Sequence, residues 1–110
     1  MRTLIDGSQA RQAAPSLAEL RTRRSELLKV CARNGTSNVG VFGSVARDQQ
    51  DGESDLDLVV DIEDGRSLFD LAGLIDDLES LLGCPVNIVE RCTLKDDALG
   101  RAVRRNEIPL

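Results

Sequence analysis

Hydrophobic residues along this chain alternate between helical and strand-like spacing, and the changes divide it into elements. Leu17, Leu20, Leu27, Leu28 and Cys31 recur on one helical face, while Arg21, Arg23, Arg24 and Lys29 mostly fall elsewhere. This predicts a helix opened by Ser16, with Glu19 three residues on completing a capping box, and stopped at Asn34-Gly35. Residues 38–42 (NVGVF) then read as a short strand ending in Gly43-Ser44. A polar stretch follows, and residues 55–62 (DLDLVVDI) read as a second strand whose centre, Leu58-Val59-Val60, is apolar enough for burial on both faces. Leu68, Leu71, Leu74, Ile75, Leu78 and Leu82 form the stripe of a second helix over 67–82, with Ser67 and Asp70 at its start and Gly83 and Pro85 past its end. Residues 86–89 make a third strand, and a last helix runs from Thr93 to about residue 105, with Arg104 and Arg105 near its negative end. Residues 1–15 lack periodicity and read as a loose arm before a domain over 16–110.

The order helix, strand, strand, helix, strand, helix predicts an α+β sandwich, a short mixed sheet of about three or four strands with helices on one side. At 110 residues the chain is one domain with one modest core.

Composition narrows the chemistry. The chain has no His, no Trp and no Tyr, and only two Phe. Without His, a Ser-His or Cys-His nucleophile and a His-ligated zinc are excluded. With 19 Asp and Glu against 14 Lys and Arg, the net charge of −5 argues against a nucleic-acid-coating role, and two aromatics give no stacking platform for bases. The three cysteines, Cys31, Cys84 and Cys92, form no C-x-x-C pair and read as small hydrophobes of a reducing compartment. No apolar run near the start suggests a signal peptide or membrane span, so a cytoplasmic protein is expected. Any acid–base or metal chemistry falls to carboxylates.

Asp55 and Asp57, two apart on a strand, project from the same face. Two close carboxylates repel, and a hard cation such as Mg²⁺, which takes one or two carboxylates and keeps waters and phosphates, would offset that. Plain polar-out, apolar-in alternation of a half-exposed strand is the other reading of D-L-D-L. Gly43-Ser44 directly follows a strand, and Val45-Ala46-Arg47 after it can start a helical turn. Gly allows close approach of backbone to a phosphate, the Ser hydroxyl can donate to the same group, and Arg47 sits one turn on as a charge partner. By itself the turn is ordinary. Together, a phosphate-type turn closes one strand and a metal-type pair opens the next.

Gly43-Ser44, ten residues, then Asp55-Leu56-Asp57 resembles the G-S-x10-D-x-D signature of the polymerase-β-type nucleotidyltransferases, and the chain looks most like their minimal nucleotidyltransferase (MNT) members over about residues 16–108. The resemblance implies the nucleotidyltransferase fold and transfer of a nucleoside monophosphate from an NTP to a hydroxyl. It implies that Gly43 and Ser44, with Arg47 nearby, hold phosphate and that Asp55 and Asp57 bind two Mg²⁺ ions. The family's usual third carboxylate falls on Asn87 here, which can ligate but brings no charge. Glu90, three residues along, lies on the opposite face by alternation. The resemblance further implies ATP as substrate and a HEPN-domain toxin as partner, neutralised by transfer of AMP or by binding alone. No direct nucleic-acid contact or membrane is expected.

Overall fold

The computed structural model describes residues 14–49 and 55–110. Ser16 opens α1 (Leu17–Thr22) as its spacing predicts: its Oγ accepts the Glu19 amide at 3.1 Å, and Glu19 Oε1 accepts the Ser16 amide at 2.8 Å. The single first helix expected from the pattern is instead two. At Arg23 the amide is shared between the carbonyls of Glu19 and Leu20, a tighter turn that interrupts the ladder before α2 (Arg24–Arg33). Leu20 and Leu27 on either side of the break are both fully buried. Ala14, expected in the loose arm, also packs into the core; residues 1–13 lie outside the described residues.

β1 (Thr36–Phe42) starts two residues earlier than expected. It runs straight into a four-residue helix, α3 (Gly43–Ala46). β2 (Leu56–Ile62) follows, then α4 (Leu68–Leu82), which carries the expected caps. Ser67 and Asp70 form a capping box, and Gly83 ends the helix at φ 72°. β3 (Val86–Glu90) leads through a 3₁₀ turn at Arg91–Thr93. The last helix, α5 (Ala98–Asn106), begins five residues later than Thr93 predicts, because Asp97 is the residue whose side chain caps it, Oδ1 accepting the Gly100 amide at 2.8 Å. A two-residue strand, β4 (Ile108–Pro109), closes the described chain.

The sheet has four strands in the order β3-β2-β1-β4. β1 pairs antiparallel with β2 and β4, while β2 and β3 are parallel, joined by α4. The sheet is thus mixed, as expected. Alternation sends Leu56, Leu58 and Val60 of β2 into one core with Val39 and Val41 of β1 and Val86 of β3. Leu20, Leu27, Val30 and Cys31 of α1 and α2 and Leu74, Leu78 and Leu82 of α4 complete it. Burial pushes the Cys31 thiol up to about 11. Cys84 is also buried, but Cys92 is exposed with its thiol near Glu90, so it is no core hydrophobe.

The opposite face carries Phe42, Asp57, Val59, Asp61 and Asn87. It is not bare. Val59 is fully buried there, and α5 lines a cavity with Phe42 and Gly43 at the end of this face. The register of β1 slips between Ser37 and Gly40, a bulge in which Asn38 takes φ 51°. Asn38 Nδ2 donates to Asp61 Oδ2 at 2.7 Å, and Arg91 donates to Asp61 Oδ1 at 2.8 Å, to the Asn38 carbonyl at 2.9 Å and to Glu107. The hydrogen bonds from Asn38 and Arg91 hold the Asp61 carboxyl below its ordinary pKa. Arg91 therefore ties β2, the bulge and the lead-in to β4 together. No helix among the described residues is long and apolar enough to cross a membrane.

Candidate active site

Asp57 sits inside β2 between two partners: Phe42 of β1 on its antiparallel side and Asn87 of β3 on its parallel side. Asp55 immediately precedes β2, where the Leu56 amide is held by the Pro85 carbonyl at 3.0 Å. The side-chain amide of Asn87 reaches both acids, donating to Asp55 Oδ2 at 3.3 Å and to Asp57 Oδ1 at 3.0 Å. The two carboxylates are thus close enough to share one cationic or donor group. Asn87 is exposed and both aspartates are only partly buried, so the cluster opens to solvent.

The Gly43-Ser44 turn lies directly against Asp57. Gly43 takes φ 74°, and a Cβ there would fall 2.4 Å from Asp57 Oδ2. Only glycine lets the first turn of α3 and the Asp57 carboxylate meet so closely. Ser44 is partly buried, and its carbonyl accepts the Gln49 amide at 2.8 Å. Arg47 is exposed, and its Nε donates to Gln49 Oε1 at 3.1 Å rather than to either aspartate. Glu90 pairs with Val60 and shares its parity with Val86 and Ile88, so it stands on the face opposite Asn87, as alternation predicts.

The donor set suits a hard divalent cation: two carboxylates and one amide on neighbouring strands, open to the water that Mg²⁺ retains. Among the described residues no group of three or more His, Cys, Asp or Glu is placed to hold a metal.

The sequence pattern assigned nothing to α5 beyond a terminal charge. Yet Leu99, Ala102 and Asn106 of that helix share a cavity with Phe42, Gly43 and Arg47. Their helical spacing was the available signal, masked by the late start of the helix at Asp97.

Residues 24–108 match the family described as "Nucleotidyltransferase domain". The chain is 33% identical over 84 residues to "Putative protein adenylyltransferase MJ0435" of Methanocaldococcus jannaschii, covering 73% of this chain and 90% of that protein. It is 41% identical over 63 residues to "Protein adenylyltransferase MntA" of Thermococcus cleftensis, covering 57% and 64% respectively. A solved structure described as a "putative minimal nucleotidyltransferase" superposes with a TM-score of 0.75 at 48% identity, covering 87% of this chain and 97% of that one. A crystal structure of a toxin-antitoxin with AMP-PNP shares the fold at a TM-score of 0.65 and 22% identity, over 77% of this chain and 69% of that one.

Proposed function

Because the chain belongs to the nucleotidyltransferase domain family, we propose that it transfers AMP from ATP to a hydroxyl of a partner protein, and that it serves as the antitoxin of a HEPN-domain toxin in the cytoplasm. The observation that carries this reading is the meeting of Asp55 and Asp57 on one amide, beside a turn that only glycine can make. Relatives named as protein adenylyltransferases support a protein acceptor.

In this reading Asp55 and Asp57 would hold two Mg²⁺ ions, which when bound would supply charge neutralisation for the phosphates. Gly43 presents its backbone to the triphosphate at close range, Ser44 donates its hydroxyl, and Arg47 turns from Gln49 toward the phosphates. Asn87 contributes an amide where a carboxylate would add charge, so it orients the two aspartates without deprotonating anything. No histidine is needed.

A second reading, neutralisation by binding alone, is favoured by Asn87, because a neutral third position weakens cation binding. One experiment separates the two. The full chain is incubated with ATP labelled on the α-phosphate, Mg²⁺ and the HEPN-domain protein, and label is sought on that protein. Transfer that disappears in Asp55→Asn and Asp57→Asn is expected. A tight complex without label, unchanged by both substitutions, would leave only the binding role.

A further inference from the structure

β3 is an edge strand, paired with β2 on one side. The Pro85 carbonyl holds the Leu56 amide, so by strand alternation Asn87 and Val89 also turn their backbone groups toward β2. Val86, Ile88 and Glu90 turn theirs outward. This outward row is closed at both ends. The Val86 amide donates to Glu79 Oε2 of α4 at 2.9 Å, and the Glu90 carbonyl accepts the Thr93 hydroxyl at 2.7 Å. Between them the Ile88 amide and carbonyl, with the Val86 carbonyl and the Glu90 amide, meet no partner among the described residues.

We propose that an extended segment of the acceptor protein adds to the sheet along β3, pairing with Ile88; the proposal rests on the protein-acceptor reading. Three observations carry it. First, the edge adjoins the site. Asn87, which bridges Asp55 and Asp57, precedes Ile88 in the chain. A strand added there lies about 4.8 Å from β3, and its residue beside Asn87 projects on the aspartate face. Second, an apolar stripe of α4 flanks the edge. Glu79 reaches Val86 at one end of β3, and Leu68 and Leu71 share a cavity with Glu90 at the other. Leu68, Leu71, Ile75 and Glu79 therefore run beside the edge at helical spacing. Leu68 is 82% exposed and Ile75 half-buried, and the side chains that an added strand turns toward α4 would cover both.

Third, the cavity at the Glu90 end, about 300 Å³, joins apolar Ile62, Leu68 and Leu71 to the carboxylates of Glu63, Asp64 and Glu90. Its cation, Arg66, is already paired with Glu63 and with Asp70. Such a pocket suits a Lys or Arg, its stem along the leucines and its head at the acids. A second copy of this chain would instead set the same acids against each other. Asn87 and Glu90 lie three apart on opposite faces, so the segment carries its hydroxyl and its Lys or Arg three residues apart.

Amide hydrogen exchange of the full chain, followed by NMR with and without the HEPN-domain protein, reads the pairing residue by residue. In the complex the Ile88 and Glu90 amides should slow about tenfold or more, while Val86, already held by Glu79, changes least. Ile88→Pro removes the outward N–H and spares the bonds to β2, and should weaken the complex and the labelling about tenfold. Leu68→Ser, at an exposed position that cannot prevent folding, should weaken both about threefold to tenfold and serves whether or not Ile88→Pro folds. A labelled partner with Ile88 and Glu90 exchanging as in the free chain, or Leu68→Ser labelling like wild type, would overturn strand addition alone. Slow exchange of these amides in the chain by itself, growing with its own concentration, would assign the edge to a second copy and overturn it as well. Neither complex nor label with wild type would remove the protein-acceptor reading and strand addition together.

Discussion

Asn87 Nδ2 donates to Asp57 Oδ1 at 3.0 Å from the neighbouring parallel strand, and the same nitrogen reaches Asp55. An amide here acts as a neutral bridge between two acids: it relieves their repulsion without a cation. Replacing it with a carboxylate reverses that balance. Asn87→Asp should lower the stability of the metal-free protein by about 1 kcal/mol, the scale of one partly exposed hydrogen bond to a charged group. The melting temperature should recover on adding Mg²⁺ and rise above that of wild type, and AMP transfer should quicken. Melting curves with Mg²⁺ and with a chelator measure the first effect. A variant whose stability ignores Mg²⁺ would remove position 87 from the cation site.

Gly43 and Gly65 allow strain and collision to be separated. Both take positive φ, 74° and 87°, but a Cβ at Gly65 meets nothing within 4 Å, whereas at Gly43 it meets Asp57. Gly65→Ala should lose only the backbone term, about 1–2 kcal/mol, and keep nucleotide transfer. Gly43→Ala should lose at least as much stability and also displace the Asp57 carboxylate, abolishing transfer. Urea midpoints and labelling of the two variants side by side give the comparison. Equal transfer in both would mean that the approach of Gly43 to Asp57 has no catalytic consequence.

Gly100 fixes where α5 can begin. A Cβ there would fall 1.8 Å from the Lys95 carbonyl oxygen, a backbone atom that cannot step aside. Gly100→Ala should therefore shift the first turn of α5 and cost more than the gain in helix propensity of about 1 kcal/mol. Asp97→Ala, which removes only the cap, should cost about 1 kcal/mol. Thermal unfolding of the two variants should rank Gly100→Ala below Asp97→Ala, and the reverse order would contradict the packing of Lys95 over this turn.

Arg91 gives stability a pH dependence. The hydrogen bonds from Asn38 and Arg91 lower the folded-state pKa of Asp61. A depressed carboxyl stabilises fully above its unfolded value, near 4, and the contribution is lost as pH falls through the lower folded value. Arg91→Met removes the partner of both Asp61 and Glu107, and should destabilise by about 1–2 kcal/mol at neutral pH. The gap between the urea midpoints of wild type and variant should narrow below about pH 4. A gap of constant size down to pH 2 would detach Asp61 from the effect.

The parts of this fold that were legible in the sequence are those settled by local chemistry. Ser67 with Asp70, Gly83, and the alternation through Leu56, Leu58 and Val60 each name their element and its buried side without help from the rest of the chain. What was hidden depends on contacts between distant segments. Thr93 and Asp97 are both acceptable helix openers, and it is Asp97 whose side chain caps the helix, by accepting the Gly100 amide. The bulge at Asn38 exists because its amide meets Asp61 on another strand, and the interruption at Arg23 leaves Leu20 and Leu27 in one core. The side chains proposed for the site followed the same division. Asp55 and Asp57 were legible as a pair on one face, but the cavity wall on α5 was not, since it forms only where that helix packs beside Gly43.

The parallel pairing of β2 with β3 sets the order in which this site can come into being. Asp57 and Asn87 are 30 residues apart and meet only after the whole of α4 has folded back to bring the two strands side by side. Closing that crossover is a non-local event whose entropy must be spent before any strand contact rewards it, whereas the helices and the β1–β2 antiparallel pairing do not wait for it. The amide bridge from Asn87 to the two carboxylates therefore forms only once the third strand has docked beside the second.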